Sequence, residues 1–561
     1  MSQLPKGLAA CILPFRRFIS GSFDSLLSCG YSCTGPRGTY RQLGVKPLSV
    51  SLTITQKGEK SLVYVPCLGA ATVCDALRSD CQDLKTTMYR DFDSPEYLAA
   101  VQYLYGRIDY ERRSPPPYET RFFKLDRMRS LLRQLGNPQN QLPTVHIAGS
   151  KGKGSVAAFL ATALGAAGDR TGLYTSPHLN HLEERLVIDG QLCPRAELVD
   201  LVAQVRKTVD PLDALEKSWI QRYTFFELVT AIAFLHFAKH QVDSCVLETG
   251  LGGRLDSTTA CQPDVTVISS ISRDHTQQLG NSLTAIALEK AGIIKPEIPI
   301  VTGVTDPEAL GKIEQVARQS DAMIWRLGRE FFVDEVVSNR DGTQCVYRDA
   351  DGRVPLQIEL VGRHQATNAA VAMAALRVWG KTTRPELSQP DLLPHLQNGF
   401  KETTCPARVE ILNTEPPVVV DAAHNVASTG ALSQTLASCF AGHSWSVVFG
   451  TSGDKEHTEM LRQLLSWADR LILTQYRDNP RAADPKQLYD LAVHKLGASP
   501  DRVEVIQSPV KAWESCLATW SPSNGICVTG SFFLAAELRS IMLASLAASN
   551  THLGWTASHP S

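Results

Sequence analysis

The sequence predicts an α/β protein with two layered domains, and three observations support this fold class. From Thr144 onward, short apolar strands alternate with helices, the pattern of a parallel sheet with helices on both faces. A second, shorter strand–helix series begins at Pro416. Between the two series lies a polar, Pro-containing stretch, 381–405, which we predict to be a linker. The expected architecture is a larger N-terminal domain followed by a smaller, Rossmann-like α/β domain.

Size and composition fit a globular protein with more than one domain. The chain has 561 residues, of which 43% are hydrophobic and 20% charged, and its formal net charge is −1. No apolar run approaches the ~18–20 residues of a membrane span. The near-zero charge gives no reason to expect a nucleic-acid partner. We therefore expect neither a membrane nor a nucleic-acid partner, so local groups must hold any anionic ligand.

The 14 cysteines predict a reducing, cytoplasmic environment. Six lie in the first 81 residues, and the other eight are scattered singly, without paired metal-ligand spacing. In a chain of this size, isolated thiols are typical of intracellular proteins. Residues 1–50 hold six Lys/Arg, one acid (Asp24) and many serines, a bias that weakly resembles an organelle transit peptide. Mitochondrial import therefore stays open.

Residues 1–87 differ from the rest of the chain. They are rich in Cys and Ser and lack a helical period, but 48–55 and 61–67 alternate in the manner of a hairpin. Three interpretations are open: a misassigned start with Met88 as the true initiator, a cleaved transit peptide, or a small extra domain. The predicted segments are 1–87 (extension), 88–402 (first domain), 403–548 (second domain) and 549–561 (tail).

The predicted elements of the first domain begin with two amphipathic helices, 94–108 and 124–136, on either side of a break at Pro115–Pro117. Its strands are TVHIAG, TGLYT, SCVLETG, VTVISSI and IPIVTG, and its helices include FFELVTAIAFLHFAKH and SLTAIALEKAGII. The second series contains PPVVVDAAHN, SWSVVFGTSGDKE, RLILTQYRD and GICVTGSFFLAAELR.

A glycine-rich turn follows the first predicted strand and precedes an Ala-rich helix. Its residues are Gly149, Ser150, Lys151, Gly152, Lys153, Gly154 and Ser155. Strand, turn and helix N-terminus form the layout of a phosphate-binding loop, with a lysine charge and a hydroxyl for phosphate or magnesium. The spacing is shorter than the usual G-x-x-x-x-G-K-S/T pattern. An ordinary glycine-rich turn is the alternative.

Polar side chains at strand ends predict a metal site beside this turn. Glu248 ends one strand, and Asp274 and His275 follow another. In open α/β sheets, ligands bind outside the carboxyl ends of the strands, and magnesium prefers a few oxygen ligands. Ser176 follows the second strand in a Ser-Pro turn and would lie beside the phosphate loop. A lone buried His is more often structural, but two such strand ends together favour a metal.

Other polar residues have structural interpretations when they are considered alone. Thr224 and Glu227 have the spacing of a capping box, and we prefer that role for them. Lys290 lies on a largely apolar helix, where a snorkelling surface lysine is the simplest interpretation. The second series adds polar residues around its first strand: Arg408, Asp421 and His424.

In order along the chain, these motifs resemble those of the folylpolyglutamate synthase/dihydrofolate synthase family, which belongs to the Mur-ligase group of ATP-dependent amide ligases. Eleven motifs span about four-fifths of the chain, 93–539: GSKGKGS, TSPHL, TFFE, LETGLGGRLDST, DHTQQLG, EKAGIIKP, GRHQATNAA, PARVE, DAAHN, FGTSGDKE and VTGSFF. The family's loop usually reads G-T-N-G-K-G-S, so the resemblance implies a phosphate loop in a P-loop ATPase domain. Two departures stand out, Ser150-Lys151 in place of Thr-Asn and Ala422 in place of a common Gly.

The resemblance also implies the roles of the site residues, with ATP as co-substrate and Mg²⁺ as cofactor. The implied metal ligands are Ser176, Glu248 and His275. The implied ATP contacts are the loop 149–155 with Asn368, Arg408 and Asp421. The implied substrate contacts are Ile108, Asp109, Tyr110 and His424. The implied catalytic residues are Lys153, His275 and Lys290, the last carrying a carbamate that supports a second metal.

The activity that the resemblance implies is the addition of L-glutamate to a folate, to 7,8-dihydropteroate, or to both. ATP would phosphorylate a substrate carboxylate, and the amine of glutamate would attack the acyl phosphate. The nearest alternative is a Mur-type ligase that acts on a UDP-muramyl substrate, with residues 1–140 as its sugar-nucleotide domain. TSPHL and the IDYE segment argue against it. A P-loop phosphotransferase and an inactive nucleotide-binding protein are more distant alternatives. We expect a monomer.

Overall fold

The computed structural model describes residues 94–113, 125–215, 222–477 and 479–553, together with two strands nearer the N-terminus. The chain divides into two compact units, Met1–Ser94 and Pro95–Ser561. In the first unit, β1 (Leu48–Gln56) pairs antiparallel with β2 (Glu59–Cys67), which confirms the predicted hairpin. The transit-like residues 1–47, Met88, Pro115–Pro117 and the end of the tail lie outside the described residues.

The second unit begins with the two predicted amphipathic helices, α1 (Pro95–Tyr105) and α2 (Leu125–Gln134). Each has a buried apolar face, formed by Tyr97, Ala100 and Leu104 in α1 and by Met128, Leu131 and Leu132 in α2. These faces belong to one apolar core that continues into the first domain.

The first domain is built on an eight-stranded sheet. Its strands are β3 (Thr144–Ala148), β4 (Thr171–Tyr174), β5 (Val187–Ile188), β6 (Gln191–Leu192), β7 (Ser244–Glu248), β8 (Val265–Ile268), β9 (Ile300–Thr302) and β10 (Ile324–Arg326). The spatial order is β10-β9-β8-β3-β7-β4-β5-β6. The strands from β10 to β4 are parallel, whereas β5 and β6 form an antiparallel edge. The predicted parallel sheet is confirmed.

Helices cover both faces of this sheet. They are α3 (Lys153–Ala166), α4 (Arg195–Leu215), α5 (Phe225–Lys239), α6 (Thr276–Leu279), α7 (Leu283–Ala291) and α8 (Pro307–Gln319). Alternate residues of β7 show the two faces, because Val246 lies in the core beside α3 whereas Cys245 and Leu247 lie in the core with α4 and α5. Strands that are buried on both sides read as continuous apolar runs, which is why the sequence revealed them.

The sequence did not reveal the elements between β10 and the second domain. A three-stranded antiparallel sheet comprises β11 (Phe332–Asn339), β12 (Gly342–Asp349) and β13 (Gly352–Ile358), and α9 (Arg363–Thr382) packs against it. The predicted linker is not a simple linker, because α10 (Leu393–Glu402) lies within it. Phe400 of α10 is buried and stacks on Phe159 of α3, with ring centroids 5.3 Å apart. The short apolar stripe Leu393–Leu396–Phe400 was hidden in a polar, Pro-rich context.

The second domain has a six-stranded sheet with the expected α/β layout. Its strands are β14 (Glu410–Thr414), β15 (Pro417–Val420), β16 (Ser444–Phe449), β17 (Arg470–Leu473), β18 (Val503–Val505) and β19 (Asn524–Thr529). Its helices are α11 (Val426–Cys439), α12 (His457–Leu465), α13 (Pro485–Asp490), α14 (Pro509–Ala518) and α15 (Phe532–Leu553). The order is β14-β15-β19-β16-β17-β18, and every pair except β14/β15 is parallel.

Two further features of the described residues concern the cysteines and the helices. The eight cysteines from Cys193 to Cys527 are all free thiols, as their isolated positions suggested. Within the described ranges, no helix is both long enough and apolar enough to cross a membrane.

Candidate active site

A cavity of about 640 Å³ lies outside the carboxyl ends of the parallel strands of the first sheet, and residues of both α/β domains line it. Seventeen of the eighteen predicted site residues line this cavity, and Lys153 and His275 each serve two predicted roles. The seventeen are Asp109, Tyr110, Gly149, Ser150, Lys151, Gly152, Lys153, Gly154, Ser155, Ser176, Glu248, His275, Lys290, Asn368, Arg408, Asp421 and His424. Ile108 is the exception. It is buried outside the cavity lining, and its carbonyl accepts a hydrogen bond from the Phe225 N–H (2.9 Å), so it supports the wall from behind.

The phosphate loop joins β3 to the N-terminus of α3. Gly152 precedes the helix with φ 80°, and α3 has no side-chain cap, so the N–H groups of its first turn are available to an anion. A Cβ on Gly152 would lie 2.3 Å from Asn368 Oδ1, and a Cβ on Gly149 would lie 2.0 Å from Ser269 Oγ. The loop therefore needs glycine at both positions, because neighbouring segments pack directly against its backbone.

The two loop residues that depart from the family pattern have structural partners. Ser150 Oγ donates to the Ser272 carbonyl and accepts from the Ser272 N–H, each at 3.0 Å, which ties the loop to the segment after β8. Lys151 Nζ donates to Asp274 Oδ2 (2.8 Å) and to His424 Nε2 (2.7 Å). The Lys151 ammonium therefore points toward the second domain, a direction that the sequence did not suggest.

Lys151 belongs to a charged cluster that joins the two domains. Asp274, which is almost fully buried, also accepts a hydrogen bond from Lys455 of the second domain (2.9 Å). Burial opposes ionisation of Asp274, but the neighbouring cations, Lys151 foremost, hold the pKa of its carboxyl well below the usual range. Burial also lowers the pKa of Lys151 to about 8 and that of His424 to about 4. A neutral His424 fits its contacts, because Nδ1 bonds the Ala422 carbonyl (2.8 Å) and leaves Nε2 as an acceptor.

The predicted metal ligands lie beside the phosphate loop. Glu248 is 5% exposed, its Oε2 accepts a hydrogen bond from the Ser176 N–H (3.2 Å), and its Oε1 lies 3.7 Å from Lys153 Nζ. Burial raises the pKa of Glu248, and the charge of Lys153 opposes this rise. Burial lowers the pKa of His275 to about 3, so its imidazole is neutral and a ring nitrogen can bind a cation.

Lys290 is not the snorkelling surface lysine that its helix pattern indicated. Only 4% of it is exposed, and Nζ donates to the Gly149 carbonyl at the start of the phosphate loop (2.8 Å). Burial, reinforced by the charge of Lys153, lowers the pKa of Lys290 to about 7. The amine is therefore substantially neutral at physiological pH.

Arg408 reaches the phosphate loop from a strained segment of the second domain. The flanking residues Ala407 and Val409 have φ of 56° and 49°, which is unfavourable for side chains with a Cβ and especially for a β-branched one. The guanidinium lies 4.8 Å above the Phe532 ring, and Nη2 is 3.9 Å from the point that a Cβ of Gly154 would occupy. The strain thus coincides with a side chain that is aimed at the predicted ATP site.

Asp421 holds this segment in place. Its Oδ2 accepts a hydrogen bond from the Val409 N–H and its Oδ1 from the Ala423 N–H, both at 2.7 Å. Burial raises the pKa of Asp421, and the Val409 N–H opposes this rise. Both carboxylate oxygens therefore contact backbone rather than pointing freely into the cavity. Ala422 does not adopt a positive φ, so the backbone accommodates alanine where the family pattern has glycine.

The N-terminal segment around Asp109 is fastened to both domains. Burial, with a further contribution from Glu111, raises the pKa of Asp109 to about 6. The Glu111 carboxylate pairs with both terminal nitrogens of the fully buried Arg185 (2.8 and 2.6 Å). The backbone carbonyl of Glu111 accepts hydrogen bonds from Asn479 (3.0 Å) and Arg481 (3.2 Å) of the second domain. Arg481 also lines the cavity, and nothing in its local sequence singled it out.

The capping box at the start of α5 is confirmed, but its glutamate has a second role. Glu227 bonds the Thr224 N–H, and Thr224 Oγ1 accepts from the Glu227 N–H. Arg127 of α2 binds both Glu227 oxygens, at 2.8 and 2.6 Å, and all three residues line the cavity. The capping pattern alone could not predict that Glu227 and Arg127 form a charged part of the cavity wall.

Two family profiles match the two α/β domains. Residues 147–376 match the Mur ligase middle domain, and residues 407–532 match the Mur ligase, glutamate ligase domain. The phosphate loop lies in the first matched range, and Arg408, which faces it, lies in the second. The fold and the site therefore define an ATP-dependent ligase of the Mur type.

Sequence and structural relatives narrow this class to one family. The chain is 34% identical to the folylpolyglutamate synthase of Lacticaseibacillus casei over 74% of its own length and 94% of that protein. It is 35% identical, with the same coverages, to the dihydrofolate synthase/folylpolyglutamate synthase of Bacillus subtilis strain 168. Folylpolyglutamate synthase from Mycobacterium tuberculosis, solved with ADP, superposes with a TM-score of 0.71 at 31% identity, covering 80% of this chain and 98% of that one. The chain belongs to the folylpolyglutamate synthase/dihydrofolate synthase family.

Proposed function

We propose that this chain uses ATP to join L-glutamate in amide linkage to folates, to 7,8-dihydropteroate, or to both. One observation carries the proposal: the cavity brings the phosphate loop of the first domain together with Arg408, His424 and Lys455 of the second. The names of the relatives, folylpolyglutamate synthase and dihydrofolate synthase/folylpolyglutamate synthase, supply the two acceptor classes.

We assign residues 88–402 to the ATP-binding domain and 403–548 to the glutamate-ligase domain. The two profile matches support these boundaries, because they fall inside the two ranges at 147–376 and 407–532. Helix α15 continues to Leu553, so part of the predicted tail is helical. Residues 1–87 are assigned to an extension without a part in catalysis.

We assign ATP binding to the loop 149–155, Asn368 and Arg408. The free N–H groups at the start of α3 and the Lys153 ammonium suit the terminal phosphates of ATP. Asn368 packs against Gly152 and keeps the loop in shape. Arg408 adds a second positive charge from the opposite side, where negative charge develops as the phosphoryl group moves to the substrate carboxylate.

The residues predicted to hold Mg²⁺ fit that ion chemically. Glu248 is a buried carboxylate, and among the residues that the structure describes only Lys153 lies within salt-bridge distance of it. Ser176 and His275 add a hydroxyl and a neutral imidazole. When bound, the metal supplies positive charge to the transferring phosphoryl oxygens. When no metal is bound, the Lys153 ammonium, whose Nζ lies 3.7 Å from Glu248 Oε1, compensates part of the negative charge of the Glu248 carboxylate.

We also propose that Lys290 carries a carbamate. Formation of a carbamate needs a neutral amine, and the depressed pKa of Lys290 provides one close to neutral pH. The modified side chain would present a carboxylate next to the phosphate loop, where Nζ now bonds the Gly149 carbonyl. This would convert a buried amine into a ligand for a second metal.

The chain's own residues account for the remaining steps. An acyl phosphate is prone to hydrolysis, so the site must exclude water once phosphate has been transferred. Contacts of Lys151 with His424, and of Lys455 with Asp274, draw the second domain over the phosphate loop. The amine of glutamate then attacks the acyl carbon, phosphate leaves, and the amide forms. We propose His424 and the Asp109–Tyr110 segment as substrate contacts.

We further propose a monomer that works in the cytoplasm. The predicted ATP, metal and acceptor residues lie together in one cavity of this chain, which supports the monomer. The free thiols from Cys193 onward support a reducing compartment.

ADP release tests the proposed function. The purified full-length chain is incubated with MgATP, L-glutamate and one acceptor at a time: dihydropteroate, tetrahydrofolate, or a UDP-muramyl peptide precursor. We expect ADP release that needs both glutamate and a pterin acceptor, with the amide product confirmed by mass spectrometry. Release that depends only on the UDP-muramyl acceptor would overturn the proposal in favour of a cell-wall ligase.

A further inference from the structure

A cluster of metal-binding side chains lies outside the cavity, between α4 and the C-terminal end of α5. His236 Nδ1 is 3.1 Å from Glu197 Oε1, and His240 Nε2 is 2.9 and 3.0 Å from the two oxygens of Glu197. The three ligand atoms all lie within 4.8 Å of one another. None of these residues lines the cavity described above.

Helix geometry fixes this arrangement. His236 and His240 are one turn apart, so both point from the same side of α5 toward α4. Glu197 lies in the first turn of α4, where the helix dipole favours a negative charge. The two histidines lie at the opposite, negative end of α5, where the dipole favours a cation.

We propose that Glu197, His236 and His240 bind a divalent transition cation of the zinc class, with water in the fourth position. Zinc bonds of about 2.0–2.1 Å in tetrahedral geometry separate neighbouring ligand atoms by about 3.3–3.4 Å. The observed carboxylate–imidazole separations of 3.1 and 2.9 Å need to widen by only a few tenths of an ångström. Two imidazoles and one carboxylate are a donor set that zinc accepts.

The burial of the three groups suits an accessible structural site. His236 is 2% exposed, Glu197 is 11% exposed and His240 is 33% exposed, so His240 is the member of the cluster most open to solvent. On metal binding, each neutral imidazole would carry its proton on the other ring nitrogen, which frees His236 Nδ1 and His240 Nε2 for the cation.

Lys239 is the natural competitor for this site. Its Nζ lies 3.2 Å from Glu197 Oε1, but 55% of the side chain is exposed, so it can move into solvent. Removal of the lysine charge would therefore favour the cation. A bound metal would fasten α4 to α5, the helix whose N-terminal residue Phe225 follows the cavity-lining Thr224.

Zinc titration of the chelator-treated full-length chain tests the proposal. Isothermal calorimetry is run with excess magnesium, which occupies the oxygen-rich sites, and Co²⁺ is used in parallel because its visible spectrum reports tetrahedral coordination. We expect the wild type to bind one equivalent of zinc. The zinc affinity should fall about tenfold or more in His240→Ala and in Glu197→Gln. His494→Ala, which removes an exposed histidine elsewhere, should behave as wild type. Lys239→Ala should bind zinc more tightly.

Thermal unfolding gives an independent measurement. Saturating zinc should raise the unfolding temperature of the wild type by about 2–4 °C, and this shift should vanish in His240→Ala. His240 and Glu197 are chosen because both are less buried than His236, where a change would disturb the packing of the helix pair. Equal zinc stoichiometry and affinity in wild type, His240→Ala and Glu197→Gln would overturn the proposal and leave a purely hydrogen-bonded cluster.

Discussion

At the scale of single residues, Lys151 shows how one substitution in a phosphate loop can redirect a charge. The family pattern has asparagine at this position, and here the lysine bonds Asp274 of its own domain and His424 of the other. We expect Lys151→Asn to raise the KM for ATP several-fold, because closure of the second domain over the loop loses a charged contact. We also expect the variant's KM to depend less on salt, since salt screens partly exposed ion pairs.

The measurement is KM for ATP at low and high ionic strength, with Lys151→Arg as the control that keeps the charge. If Lys151→Asn has the same salt dependence as wild type, the Lys151 contacts do not contribute to closure.

Lys290 shows why a local pattern could not reveal the role of a residue. Its helix resembles any apolar helix with a surface lysine, but its partner, Gly149, lies 141 positions away along the chain. Because burial lowers the pKa of Lys290 to about 7, a far larger fraction of its amine is neutral near physiological pH than in an ordinary lysine. The carbamylated fraction of Lys290 should therefore increase as the pH rises from 6 to 8. Intact-mass spectrometry of the protein in bicarbonate buffer measures this fraction.

Activity provides the second measurement for Lys290. Lys290→Ala should be strongly impaired and partly rescued by a short carboxylate such as formate, which restores the missing negative charge. A bicarbonate-independent mass together with an absence of rescue would show that the lysine acts as an unmodified amine.

Glu248 and His275 were predicted from their positions at strand ends, and the structure places both beside the phosphate loop. We expect Glu248→Gln and His275→Ala to raise the magnesium concentration for half-maximal activity about tenfold or more and to lower kcat by about 10²–10³-fold. Glu289→Gln is the control, because Glu289 pairs with Arg254 outside the cavity lining. Unchanged magnesium curves in both site variants would place the metal elsewhere.

At the scale of elements, the sequence predicted the strands that are buried on both faces and missed those that are not. β3, β7 and β8 are fully buried and read as apolar runs. β11, in contrast, alternates between half-buried and exposed positions, and its pairing with β12 is interrupted by a register shift. β11 could be recognised as a strand only once its pairing with β12 was known. The phosphate loop was predictable because glycine, lysine and helix propensity all act locally.

The strained segment around Arg408 could not be predicted, because its conformation depends on a carboxylate from the following strand end. Asp421→Asn replaces an acceptor with a donor, so one buried backbone N–H loses its partner, and we expect a loss of about 1–3 kcal/mol in unfolding free energy. We also expect kcat/KM for ATP to fall, because Arg408 is no longer aimed at the phosphates.

A double-mutant cycle with Arg408→Ala separates two roles for Asp421. If Asp421 acts through Arg408, the effects on kcat/KM are strongly non-additive. Additive effects would instead favour the direct ATP contact that the family resemblance implied for Asp421.

At the scale of the whole molecule, the site is assembled from segments that are far apart in sequence. Arg481 bonds the Glu111 carbonyl across 370 positions, and Lys455 bonds Asp274 across 181. A single sequence read by local pattern gives no signal for such pairs, although Lys455 lies in the FGTSGDKE motif. The glycine-rich loop and its place beside the strand ends could be predicted, whereas the pairing of its residues with the second domain could not.

The last prediction concerns the extension, residues 1–87. The unit Pro95–Ser561 has its own cores, to which α1 already contributes Tyr97 and Leu104, whereas an isolated hairpin such as β1–β2 is marginal in water. A chain that starts at Met88 should therefore be soluble and have the same unfolding temperature, kcat and KM as the full chain. The N-terminus of the mature protein, determined from its native source, separates a cleaved leader from an alternative start. An insoluble truncated chain, or a tenfold rise in KM for the pterin acceptor, would show that the extension packs on the ligase as an extra domain.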